Sequence, residues 1–141
     1  MSRLSIQRWG LSLAYETAER ATCPRRKVGC LLLDSKGRVL ASGYNGVPSG
    51  FEHCVNKPCA GTVDEDGCLA THAEINALIQ CGNPDDIHYA IVTCFPCFRC
   101  LKALLNTGIK ELVFSESYAG FEQYFWMLRE KHVYTRKLVR N

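Results

Sequence analysis

The sequence predicts an α/β layered sandwich. Apolar runs of strand length alternate with segments of helical periodicity through the second half of the chain, which favours parallel strands joined by helices. A hairpin-like pair of apolar runs lies in the first half. The 141 residues are enough for one core, so a single domain over 1–141 is expected.

Residues 4 to 21 place Leu11, Ala14, Tyr15 and Ala18 at the spacing of one helix face, with Ser5 as N-cap and a stop before Pro24. VGCLLLD and RVLASGY, joined by Ser35, Lys36 and Gly37, read as a β-hairpin. Residues 45 to 71 are rich in Gly, Pro and Cys without periodicity and read as a long loop, a kind usually functional or metal-held. Residues 72 to 81 return to helical spacing, with Ile75, Leu78 and Ile79 on one side and Gly82, Asn83 and Pro84 as a stop. HYAIVTC reads as a buried strand, residues 97 to 107 as a helix carrying Leu101, Leu104 and Leu105, and KELVF as a short strand. Phe121, Tyr124, Phe125 and Leu128 mark a last helix, and VYTRKLV an edge strand, giving the order αββαβαβαβ. The aromatic stripe of that helix reads as core, while Trp126 and Met127 fall off its face and favour an oligomer contact.

Composition narrows the function classes. With 47% hydrophobic and 22% charged residues the chain reads as globular and not disordered. No apolar run approaches a membrane span and no signal core follows the N-terminus, so a cytoplasmic protein is expected, in the host cell if it is viral. A net charge of +3 suits a phosphorylated small molecule as well as nucleic acid and does not by itself choose the partner, but a charge this small without an aromatic-studded basic stripe argues against a nucleic acid polymer. Nine cysteines, an odd number in a chain long enough to fold without staples, point to metal binding before disulfides.

Two short motifs open the second and third helices, His72-Ala73-Glu74 and Pro96-Cys97-Phe98-Arg99-Cys100. Cys97 and Cys100 at i, i+3 aim both sulfurs the same way, and the helix N-terminus favours their thiolates. His72 supplies a third ligand, and three protein ligands with one open position is the catalytic zinc pattern. Glu74 shares that site only if the site lies over the first turn of its helix; there it can carry a proton between water and substrate. Separately, P-C-x-x-C also suits a structural knuckle or a redox pair, and H-A-E recurs by chance; the combination is far more specific.

HAEINA followed by PCFRC is the signature of zinc nucleoside and nucleobase deaminases. The chain also resembles the deoxycytidylate (dCMP) deaminases from about residue 5 to 137, through CPRRKVG before the first strand and GYNGVPSG after the second. The resemblance implies a three-layer α/β/α sandwich of the cytidine deaminase-like type, with a five-stranded mixed sheet and an antiparallel N-terminal hairpin. It implies Zn2+ on His72, Cys97 and Cys100, with Glu74 as general acid/base. Water would attack C4 of cytosine while Glu74 protonates N3 and then the departing amine, converting dCMP to dUMP for thymidylate synthesis.

The same resemblance places Asn45 in the active pocket, on sugar or base, although Asn45-Gly46 also suits a plain turn. The phosphate needs cations or donors; Arg26, Lys27 and Tyr118 are the candidates, with a solvated basic turn as the alternative for Arg25-Arg26-Lys27. Relatives respond to dCTP as activator and dTTP as inhibitor, with Mg2+ accompanying the triphosphate. Gly46, Pro48 and Gly50 resemble the loop of that regulatory site, where glycines admit phosphates close to the backbone, and they equally suit a tight turn. Regulation of this kind implies a homo-oligomer, a hexamer. His53, Cys54, Cys59 and Cys68 supply four soft ligands in a segment poor in apolar residues, consistent with a second, structural zinc or with buried free thiols; Cys23 could replace one member. Cys30, Cys81 and Cys94 read as free thiols, and His88 and His132 as without a catalytic role. Competing readings are a related enzyme acting on dCTP, deoxycytidine or a modified cytosine nucleotide, a polynucleotide deaminase, and a non-catalytic zinc module that would leave Glu74 without purpose.

Overall fold

A computed structural model describes residues 2–54 and 68–140. Its elements follow the expected order: α1 (Ile6–Ala18), β1 (Gly29–Leu33), β2 (Val39–Tyr44), α2 (Ala73–Gln80), β3 (Tyr89–Cys94), α3 (Phe98–Leu105), β4 (Glu111–Glu116), α4 (Phe125–Glu130) and β5 (Tyr134–Lys137). The five strands form one sheet in the order β2-β1-β3-β4-β5. β1 runs antiparallel to both β2 and β3, while β3, β4 and β5 are mutually parallel. The hairpin therefore sits at one edge and the helix-connected parallel strands at the other, as the alternating pattern requires.

Helices cover both faces. Every residue of β1 is buried, since alternate side chains enter different layers. Leu31 and Leu33 pack with Leu11, Ala14, Ile91 and Val113 beneath α1. Cys30 and Leu32 join Ala73, Ala77, Val92, Leu101, Leu104, Leu112, Phe114 and Leu128 under α2, α3 and α4. α1 begins where its sequence says it should, because Ser5 Oγ accepts the N–H of Arg8 at 3.1 Å.

Two glycines set how closely the helices lie. A Cβ on Gly29 would strike the carbonyl oxygen of Ala14 in α1, and one on Gly43 would strike that of Ala73 in α2. The close approach of α2 revises part of the expected inner face of that helix. Ala73 and Ala77 lie against the strand and Leu78 packs on the core as expected, whereas Ile79 turns outward with 72% of its surface exposed.

The last helix is also revised. Phe121–Tyr124 forms a 3-10 turn, entered through Gly120 at φ 85°, and the α-helix starts only at Phe125. Phe121 and Phe125 meet Phe95 edge-to-face at 5.3 and 5.8 Å, so the stripe is core as expected. Met127 packs against that core too, contrary to its expected outward role, while Trp126 is exposed.

Candidate active site

The starts of α2 and α3 converge at one cavity. His72 and Cys97 are the N-cap residues of these helices; both have extended backbones (φ −68°, ψ 152° and φ −66°, ψ 167°), and neither side chain caps its own helix. Their side chains are thereby released toward each other, and Cys100, one turn into α3, joins them. His72 Nδ1 lies 3.5 Å from Cys97 Sγ and 3.3 Å from Cys100 Sγ. The edge between nitrogen and sulfur ligands of a tetrahedral zinc is about 3.6 Å for the usual bond lengths, so the three donors already have the spacing of a metal cradle. Among the described residues this is the one group of three His, Cys, Asp or Glu side chains whose ligand atoms converge within 4.8 Å.

The electrostatics agree with the donor set. The Cys97 thiol is lowered to about 4, first by the hydrogen bond from the Cys100 thiol and then by that from His72, against the opposing effect of burial. A thiolate is the form that ligates zinc. Burial acts the other way on Cys30, whose thiol is pushed well above its ordinary range, with the nearby Glu74 charge adding to the rise. Cys94 and Cys81 are also raised by burial. These three thiols suit the free, protonated state expected for them.

Glu74 occupies the second position of α2 and is 4% exposed. It lines the same cavity as His72 and Cys97, which meets the requirement that the site lie over the first helical turn. The cavity has a volume of about 470 Å³, and Arg26, Asn45 and Tyr118 also reach it. A carboxylate almost sealed from solvent, a three-donor cradle and an arginine around one nucleotide-sized space can support proton transfer to a bound anionic substrate.

The other expected site residues divide between the cavity wall and the surface. Asn45 uses its amide on the main chain, where Oδ1 accepts the N–H of Val28 at 2.8 Å and Nδ2 donates to the carbonyl of Arg26 at 2.9 Å. It thus braces the segment that carries Arg26. Tyr118 Oη donates to the carbonyl of Pro96 at 2.8 Å, next to Cys97. Lys27 does not line the cavity; its ammonium lies 3.4 Å from Glu19 on the surface. Gly46 is bridged to Thr71, and neither it nor Pro48 or Gly50 lines the cavity. Gly50 has φ 90° with open space around it, a backbone conformation suited to glycine.

Among the residues proposed for a second zinc, Cys59 lies outside the described residues. His53, Cys54 and Cys68 do not converge among the described residues. His53 Nδ1 lies 2.9 Å from Thr22 Oγ1, and Arg25 reaches Cys68 Sγ at 3.8 Å. Sequence reasoning missed Arg99, Cys94 and the Phe98–Tyr124 stack (5.4 Å between centroids) as parts of the cavity wall. Arg99 lies inside the PCFRC motif, which is its signal in the sequence.

Residues 4–116 match the family model described as the cytidine and deoxycytidylate deaminase zinc-binding region. The chain belongs to this family. It is 38% identical over 122 residues to ComE operon protein 2 of Bacillus subtilis, covering 84% of this chain and 63% of that one. It is 35% identical to the deoxycytidylate deaminase of Saccharomyces cerevisiae over 97% of this chain and 46% of the yeast one. It therefore spans less than two thirds of the length of these two curated relatives. The deoxycytidylate deaminase of Mycobacterium phage D29, 34% identical, matches over 81% of this chain and 97% of its own. Among solved structures, the dCMP deaminase of cyanophage S-TIM5 in complex with dCMP and dUMP superposes with a TM-score of 0.77 at 27% identity, over 98% of this chain and 100% of that one. No described helix is long and apolar enough to cross a membrane.

Proposed function

We propose that the chain is a single-domain, zinc-dependent deaminase that converts dCMP and water to dUMP and ammonia. The observation that carries this reading is the burial of Glu74 beside the His72/Cys97/Cys100 cradle in a cavity that Arg26 also reaches. The likeness to a phage enzyme complexed with dCMP and dUMP supports the choice of substrate.

His72, Cys97 and Cys100 would hold zinc, which would supply Lewis-acid activation of water. Glu74 takes a proton from the attacking water and delivers it to N3 as the water oxygen bonds to C4. The same carboxylate then moves the second proton to the 4-amino group, the C4–N bond breaks, and ammonia leaves. Burial of Glu74 keeps bulk water from competing for these protons. Arg26 pairs with the phosphate, and Asn45 holds the loop from which Arg26 projects. The Tyr118 hydroxyl has its proton on Pro96, which suits a wall role better than phosphate donation.

The remaining assignments extend the same reading: dCTP with Mg2+ as activator and dTTP as inhibitor at the loop holding Gly46, Pro48 and Gly50, a hexameric assembly, cytoplasmic location, and a structural zinc among His53, Cys54, Cys59 and Cys68. The test is chromatographic conversion of dCMP to dUMP with matching ammonia release, run alone, with dCTP and Mg2+, and with dTTP. Turnover that rises with dCTP and falls with dTTP is the expected result. Turnover of dCTP or deoxycytidine in preference to dCMP would replace the substrate assignment.

A further inference from the structure

Each ligand that opens a helix follows a carbonyl held by a side chain from elsewhere. Tyr118 holds the carbonyl of Pro96, before Cys97. Asn76 does the same for His72: its Nδ2 donates to the carbonyl of Thr71 at 3.3 Å and to that of Tyr44 at 2.8 Å. Its backbone N–H donates to the carbonyl of His72 itself at 3.0 Å. Asn76 thus touches the chain on both sides of the His72 side chain and ties it to the end of β2.

The tie matters because His72 is not oriented by regular helix geometry. Its backbone is extended, so the direction of its imidazole depends on where the Thr71–His72 peptide is held. That segment is anchored by a two-way bridge to Gly46, with Gly46 N–H donating to Thr71 O at 3.1 Å and Thr71 N–H donating to Gly46 O at 2.8 Å. Asn76 adds the second donor to Thr71 O, matching the two lone pairs of a carbonyl, and links the bridge back to α2. Without that donor, the bridge and α2 could shift relative to each other, and His72 lies at their junction.

We propose that Asn76 is a positioning residue that fixes His72 for metal ligation, acting through Thr71 and Tyr44 without itself touching metal or substrate. The inference rests on the reading of His72, Cys97 and Cys100 as a zinc site. Partners that orient a ligand are commonly worth about 10- to 100-fold in metal affinity.

Asn76→Asp keeps the size and removes the donor, whereas Asn76→Gln keeps the donor on a longer stem. Zinc affinity is read by competition with a chromophoric chelator, site geometry by the visible absorption of the cobalt-substituted protein, and folding by circular dichroism. Folded Asn76→Asp should bind zinc about 10-fold or more weakly, show altered cobalt bands, and lose kcat on dCMP with little change in KM; Asn76→Gln should recover part of each. A folded Asn76→Asp with wild-type zinc affinity and cobalt bands would overturn the inference. If that variant does not fold, Asn76→Ser is judged by the same two metal readings and the same criterion. Wild-type protein that binds zinc but leaves dCMP untouched would overturn the substrate reading, and the metal readings would still decide the role of Asn76.

Discussion

Glu74 carries the heaviest chemical assignment at the residue scale. Glu74→Gln keeps the shape and loses the proton carrier, so zinc content should match wild type while kcat falls by about 10²- to 10⁴-fold, measured by dUMP formation. Arg26→Gln should raise KM for dCMP by about 10-fold or more, the worth of one charge-assisted hydrogen bond, with deoxycytidine turnover unchanged. The contrast between Arg26 and Lys27 shows where sequence reading stops. Both lie in one basic triplet, but which cation faces the cavity depends on the bracing by Asn45 and the pull of Glu19, and neither contact has a local signature. The grouping of His72, Glu74, Cys97 and Cys100 was legible because it depends on short spacings at two helix starts. Cys94 and the Phe98–Tyr124 stack were not, since the fold assembles that wall from separate segments.

At the scale of elements, close packing of helix on strand governs stability. Gly43→Ala drives a methyl group into the backbone of α2 and should cost about 2–3 kcal/mol by urea unfolding of the zinc-loaded protein. Gly82→Ala meets open space and should change stability by no more than about 0.5 kcal/mol. Ser5→Ala removes the α1 cap and should cost about 1 kcal/mol. The order of the α-helices and strands among the described residues was visible in the periodicity, because most of them bury a face and several boundaries carry a turn or cap signal. The inner face of α2 was visible only in part: Leu78 packs on the core as its spacing predicts, but Ala73 and Ala77 make the close approach to Gly43 and Ile79 turns outward. The split of the last helix was hidden for a similar reason, as its aromatic side chains are drawn to Phe95 around Gly120.

Across the whole molecule, the sheet order brings the helix starts together. β3 lies between the hairpin and the parallel strands, and the α3 start follows directly on its C-terminal end. α2 reaches the same end through the bridge between Thr71 and Gly46, two residues past the end of β2. The cavity thus forms where the antiparallel and parallel halves of the sheet meet, a placement implicit in the alternating element order although its lining was not. The site joins segments far apart in the chain, so metal removal should abolish turnover and zinc should restore it. The most direct test of the account is the rate of dUMP formation from dCMP as zinc is titrated into metal-free protein, beside a Cys97→Ser control. Turnover should rise in proportion to occupancy of a site that the control lacks. Equal turnover by the metal-free protein, or none from fully zinc-loaded protein with dCTP and Mg2+ present, would contradict it.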